Sequence, residues 1–127
     1  PLRQIRVILI DDSVTILDRL NRALEALAGV HVVGCAEDAD QAIEEIARLR
    51  PDAVVLDVRL RDSSGWDVLE YVREFAPSTR VFVFTNEQDD HVRQKFILAG
   101  ADAFFDKSLD FAQLKCAIIH LASNEPT

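Results

Sequence analysis

Five polar side chains stand at matching places along the chain, each directly after a short apolar run. Asp11 and Asp12 follow Ile5–Ile10, Asp57 follows Ala53–Leu56, Thr85 follows Val81–Phe84, and Lys107, behind Asp106, follows Ala103–Phe105. A short apolar run between polar residues is the pattern of a strand buried on both faces. A polar residue at its carboxyl end emerges at the rim of a parallel sheet, where open α/β folds place their ligands. If those ends align, three carboxylates, a hydroxyl and an ammonium meet at one spot.

Such a cluster has a definite chemistry. Two carboxylates about 4 Å apart repel by roughly 4 kcal/mol at an effective dielectric near 20, so the group stays ionised only around a cation. Oxygen ligands select hard cations, and a few carboxylates that leave room for water suit Mg²⁺ better than a closed Ca²⁺ cage. Asp11 and Asp12 are the expected holders of the ion, with Asp57 giving one oxygen and keeping the other as a nucleophile of the kind that forms aspartyl phosphates. A transferred phosphoryl group needs positive partners on its equatorial oxygens, and Mg²⁺, Lys107 and the Thr85 hydroxyl are placed to supply them. Three carboxylates, Mg²⁺ and Lys107 sum to zero charge, and phosphorylation leaves about −1. Taken singly, each residue has a plain structural reading: an Asp-Asp pair caps a turn, a strand often ends in Thr, and a lone Lys is usually solvated. The order of all five carries the argument.

The elements that must position these residues are also readable. Ser13 is an N-cap for a helix with Leu17, Leu20, Leu24 and Leu27 at helical spacing, ending at Gly29. Val30–Cys35 reads as the next strand. Asp38 with Gln41 resembles a capping box for a helix buried through Ile43, Ile46 and Ala47 and closed by Pro51. Arg59–Gly65 reads as a polar loop. Val68, Leu69, Val72 and Phe75 mark a third helix that stops before Pro77. Val92, Phe96 and Ala99 mark a fourth, ending at Gly100. Phe111, Leu114, Ile118 and Leu121 mark a fifth, capped by Asp110 or Ser108. Five strands alternating with five helices predict a parallel sheet with helices on both faces. Residues 1–127 are expected to form one domain, with 123–127 as a linker-like tail.

Composition narrows the function. Nearly half of the 127 residues are apolar (49%), as in a folded domain, and the net charge of −8 argues against a nucleic-acid surface. No apolar run approaches the roughly 20 residues of a membrane span, and no signal peptide opens the chain. Cys35 and Cys116 have no metal-ligand spacing and read as buried cytosolic thiols. His31, His91 and His120 fit no ligand spacing either, and His91 falls near the start of the fourth helix.

Along nearly its whole length the chain resembles the receiver domain of bacterial two-component response regulators. The family's acid pair falls on Asp11 and Asp12, its phosphoacceptor on Asp57, its switch Ser/Thr on Thr85 and its Lys on Lys107; Pro51-Asp52, Gly65 and Gly100-Ala101-Asp102-Ala103 also match. The resemblance implies a flavodoxin-like (βα)5 doubly wound fold with a five-stranded parallel sheet. It implies Mg²⁺ held by the three acids and the backbone carbonyl of Arg59, and phosphotransfer from a sensor histidine kinase or phosphotransfer protein. It implies a conformational switch in which Thr85 moves toward the phosphoryl and Phe104 fills the vacated space, remodelling the face of the fourth helix, fifth strand and fifth helix. Phe105 reads as core. Output is then expected through a protein partner or a missing C-terminal domain, with a homodimer through that same face, in the cytoplasm. No enzymatic activity is expected beyond the domain's own phosphorylation and dephosphorylation.

The chain also departs from the family's pattern. Ser108 stands where a Pro commonly follows the Lys, and Arg61 where a Pro often lies four residues past the acceptor. Arg59 and Glu87, two residues after Asp57 and Thr85, are expected to pair across the site mouth. Trp66 reads as packing that could report on the site by fluorescence. A flavodoxin-type carrier would share the fold, but Asp11 and Asp12 would repel its phosphate. A metal-dependent phosphatase would need an acid two residues past its nucleophile, where Ser13 and Arg59 stand. A receiver reduced to a binding module would not be expected to retain all five positions.

Overall fold

In the computed structural model, which describes residues 3–123, every apolar run of the sequence is a strand of one sheet. The elements are β1 (Ile5–Ile10), α1 (Val14–Glu25), β2 (Val30–Ala36), α2 (Ala39–Leu49), β3 (Ala53–Leu56), β4 (Arg59–Leu60), β5 (Ser63–Ser64), α3 (Gly65–Phe75), β6 (Arg80–Thr85), α4 (Asp90–Leu98), β7 (Ala103–Asp106) and α5 (Phe111–Ser123). The large sheet has the order β2-β1-β3-β6-β7, with all of its neighbours parallel. This is the doubly wound, flavodoxin-like arrangement that the alternation of strands and helices predicts.

Strand alternation sorts the core into two layers. Ile8, Ile10, Val54, Leu56, Val81 and Val83 face one way, against Ala42 and Ile46 of α2, Val68, Leu69 and Val72 of α3, and Phe96 of α4. Ile5, Val7, Leu9, Val55, Phe82 and Phe84 face the other way, against Leu17, Leu20 and Leu24 of α1 and Leu114 and Ile118 of α5. Both sheet faces are therefore dry, which is why the strands read as continuous apolar runs.

The helix signals are realised with some changes. Ser13 caps α1 by accepting from Ile16 N–H (3.3 Å), and Asp38 caps α2 by accepting from Gln41 N–H (2.8 Å). The Gln41 side chain reaches back to Glu37 N–H (3.0 Å) rather than to the cap residue. The loop expected over Arg59–Gly65 folds instead into the antiparallel pair β4–β5, and Gly65 opens α3. Ala47 is exposed and Ala42 takes its place in the buried stripe of α2. Phe75 is 64% exposed, stacked on Tyr71 at the end of α3, where it lines an open cleft with Ile46, Ala47 and Arg50. Cys35 and Cys116 are exposed, not buried. Cys35 lies on β2, an edge strand whose register with β1 shifts between Val7 and Ile8, and Cys116 lies on the outer face of α5. Ser123 belongs to α5 rather than to a tail, and 124–127 lie outside the described residues.

Candidate functional site

The sheet's hydrogen-bond ladder continues past the strand ends and fixes the backbone of the key residues. Asp11 N–H donates to Ala36 O (3.0 Å), Asp57 N–H to Ile10 O (3.0 Å) and Lys107 N–H to Thr85 O (2.9 Å). Because β1 and β3 are neighbours, and β6 and β7 follow beyond β3, the polar residues after these four strands share one edge. This edge includes the position beside β1 where strand order reverses, the crevice in which open parallel sheets bind ligands.

All five side chains singled out in the sequence meet there. Lys107 Nζ lies 2.6 Å from Asp11 Oδ2 and 2.8 Å from Asp57 Oδ2. Asp57 Oδ1 accepts from the Thr85 hydroxyl (2.6 Å) and from Val58 N–H (2.7 Å). One carboxylate oxygen from each of Asp11, Asp12 and Asp57 lies within 4.8 Å of the other two. Asp11 and Thr85 are each 2% exposed and Asp57 9%, while Asp12 stands in solvent. Two of the three carboxylates, Asp11 and Asp57, are thus poorly hydrated.

Electrostatics agree with the geometry. Burial pushes the Asp11 carboxyl above its ordinary pKa, only partly offset by the Lys107 ammonium and Ser13 N–H. Burial also works to lower the pKa of Lys107, but its hydrogen bonds to Asp11 and Asp57 outweigh that and hold the ammonium charged. One ammonium shared between two carboxylates, with a third beside them, leaves the pocket anionic. Three hard oxygen donors around an excess of negative charge fit a hard divalent cation.

The surrounding loops lock this arrangement. A Cβ on Gly65 would come within 2.2 Å of Asp57 O, so only glycine lets α3 begin directly against the backbone of the acid. Gly65 N–H donates to Val58 O at 2.7 Å. Arg61 ties the β4–β5 turn to the turn before α2 through Glu37, by an ion pair and by a backbone bond of 3.1 Å. Arg59 Nη2 lies 3.5 Å from Glu87 Oε1, and both residues line the cleft that opens on Asp57, Thr85 and Asn86. After Lys107, the Asp106 carboxylate accepts from Ser108 and Leu109 N–H and from the Gln88 amide. Gln88 is the chief reason the Asp106 carboxyl sits below the ordinary carboxylate range, with Ser108 N–H next. Peptide bonds in the described residues are all trans, so Ser108 is accommodated by this Asp106-centred turn. Asp110 accepts from Leu114 N–H through its carbonyl, as a helix-capping residue does, while its side chain turns back to Asp106 N–H.

Thr85 Oγ1, already turned to Asp57, also accepts from Glu87 N–H at 3.2 Å. Phe104 is half-buried and meets Phe96 edge-on, with ring centroids 6.1 Å apart. Val83 and Phe104 pair across β6 and β7, so Thr85 and Phe104 are diagonal neighbours on one sheet face. The sequence reading missed Ser13 N–H and Val58 N–H as partners of the two acids. Backbone donors leave no mark in residue identity.

Comparison with known proteins gives a consistent result. The family model described as the response regulator receiver domain matches residues 7–119. A protein-glutamate methylesterase/protein-glutamine glutaminase of Geobacter sulfurreducens is 32% identical over 80% of this chain and 27% of its own length. The chain spans about a quarter to about half the length of the curated relatives it matches. The signal receiver domain of the response regulator NarL from Mycobacterium tuberculosis superposes with a TM-score of 0.86 at 28% identity, covering 97% of this chain and 99% of that one. The response regulator domain of Thermotoga maritima CheB superposes with a TM-score of 0.82 at 27% identity, covering 98% and 100%.

Proposed function

The chain belongs to the response regulator receiver domain family, and on that premise we propose that Asp57 is the residue in it that accepts the phosphoryl group. Receiver domains take part in two-component signalling by phosphoryl transfer to an aspartate. The reading for Asp57 rests on one observation: Lys107 Nζ and the Thr85 hydroxyl both bond to its carboxylate, at 2.8 Å and 2.6 Å.

An Asp57 carboxylate oxygen attacks the phosphorus of a phosphohistidine, the P–N bond breaks and the imidazole leaves. Lys107 and Thr85 then donate to the phosphoryl oxygens, and Val58 N–H keeps the carboxyl group oriented. Asp11, Asp12, Asp57 and the Arg59 carbonyl are the groups that would hold Mg²⁺. When bound, the ion offsets negative charge on the transferring group. Lys107, bonded to both Asp11 and Asp57, holds its charge beside the attacking carboxylate and so helps fix where the phosphoryl lies.

The donor in this reading is a sensor histidine kinase or a phosphotransfer protein, and the compartment is the cytoplasm, where such donors carry their phosphoryl groups. Thr85 and Phe104 form the switch, read on the face of α4, β7 and α5 by an output protein, a further domain or a second copy. The domain's own chemistry is confined to gaining and losing the phosphoryl. No helix of the described residues is long and apolar enough to cross a membrane.

Intact mass after incubation with Mg²⁺ and acetyl phosphate tests the proposal. One added phosphoryl group, removed by hydroxylamine and absent in Asp57→Asn, is the expected result. A gain that persists in Asp57→Asn, or no gain at all, overturns it.

A further inference from the structure

α4 is the least anchored helix of the fold. It has nine residues, and Phe96, 3% exposed, is its only buried side chain, with Val92 and Ala99 half-buried beside it. What holds Phe96 is aromatic. Its ring meets Trp66 of α3 edge-on, centroids 5.5 Å apart at 80°, and meets Phe104 of β7 edge-on, centroids 6.1 Å apart at 69°. The residue before it, Lys95, places its ammonium 4.3 Å over the Trp66 ring. α4 therefore grips one indole with two successive side chains, one by quadrupole contact and one by cation–π attraction.

We propose that Trp66 is the positioning residue of the switch: the ledge on which α4 hangs, so that a change at Phe104 is passed through Phe96 to α4 and Lys95 relative to Trp66. This rests on the reading of Asp57 as phosphoacceptor and of Thr85 and Phe104 as its switch, and adds a residue of α3 that meets the same Phe96 ring. Trp66 suits the part because its own position is fixed from the other direction. Its backbone N–H donates to the Ser64 hydroxyl (3.1 Å), and it follows Gly65, which is packed on the Asp57 backbone. One end of the ledge is thus tied to the acceptor strand, while Phe104 on β7 supplies the moving contact. Edge-to-face rings are directional, so Phe96 cannot follow a displaced Phe104 and also keep its geometry on Trp66. Lys95 then shifts over the indole as α4 moves.

The chain has a single tryptophan, so emission reports on this position alone. Phosphorylation of the wild-type protein by acetyl phosphate and Mg²⁺, followed by mass, is expected to shift Trp66 emission or its iodide quenching. Phe96→Leu is expected to abolish that shift at equal phosphoryl occupancy. Full occupancy with unchanged emission overturns the inference and leaves the acceptor reading intact. If no phosphoryl is gained, the acceptor reading fails, and a double-mutant cycle on the unmodified protein decides the coupling. Trp66→Leu and Phe104→Leu, which do not share a ring contact, are expected to shift Tm non-additively, with Trp66→Phe restoring the wild-type coupling to Phe104→Leu. Additive shifts overturn it.

Discussion

At the scale of single residues, Asp11 and Asp12 show both what sequence reveals and what it hides. Their identity and place after an apolar run pointed to the pocket, yet as adjacent acids they looked equivalent. The fold makes them different: Asp11 prolongs the β1 ladder by its bond to Ala36 and is buried, while Asp12 starts the turn and is solvated. Burial depth depends on what covers a strand end, which no local pattern encodes. The consequence is a stability cost located at Asp11. Its folded pKa lies above the ordinary value, chiefly through burial, so the folded state binds its proton more tightly than the unfolded chain does. That cost is absent below the ordinary carboxylate range, grows as pH rises through it, and is complete above the raised folded value. Asp11→Asn is therefore expected to melt at or above the wild-type temperature at pH 7 without divalent cations. Its advantage should shrink as pH is lowered toward the ordinary carboxylate range. Melting curves in chelator across that range check it, and an Asn variant melting several degrees lower at pH 7 would contradict the argument.

At the scale of elements, boundaries set by local chemistry were legible and those set by neighbours were not. Ser13, Asp38 and Pro51 act within one turn of the chain, and each stands where its helix begins or has ended. Phe75 and Ala47 fit the helical period as well as their buried neighbours do. Whether such a flank is covered depends on how closely a partner helix approaches, and between the ends of α2 and α3 an open cleft leaves both residues exposed. Cys35 fits a buried strand, but β2 is an edge. The β4–β5 pair escaped notice because its residues, Arg59 to Ser64, carry no alternation and are held by Arg61, Glu37 and the Ser63 hydroxyl, which accepts from Ala39 N–H. Gly65 was legible as a position and not as a necessity. Its space is taken by Asp57 O, so Gly65→Ala must move either the start of α3 or the acid itself. A forced contact of this kind costs about 1–3 kcal/mol. Because the displaced atom belongs to Asp57, the rate of phosphoryl gain from acetyl phosphate should fall more than stability alone accounts for. Denaturant melts beside that rate, measured under conditions where both proteins are fully folded, separate the two effects. An alanine variant with wild-type rate would show that α3 yields instead.

At the scale of the whole molecule, alternating strands and helices dictate a parallel sheet, but not which strands are neighbours. The site depends on that order: Asp11 and Asp57 meet only because β1 lies beside β3, and Lys107 reaches both from β7 across β6. Folding thus gathers like charges that the unfolded chain keeps apart, in a molecule already at −8. A divalent cation that binds the gathered set and not the dispersed one must stabilise the fold by mass action, by about 2.7 kcal/mol at a hundredfold excess over its Kd. Any salt also screens the general repulsion of an acidic protein, over a Debye length of about 10 Å at 0.1 M. The comparison that isolates the site is therefore MgCl₂ against NaCl at equal ionic strength. Mg²⁺ is expected to raise Tm by several degrees beyond the sodium control in the wild type, and by far less in Asp11→Asn or Asp57→Asn. Screening acts on the net charge, which each substitution changes by only one unit, so it predicts nearly the same gain in all three proteins. Equal gains would mean that the carboxylates, though adjacent, bind no ion together.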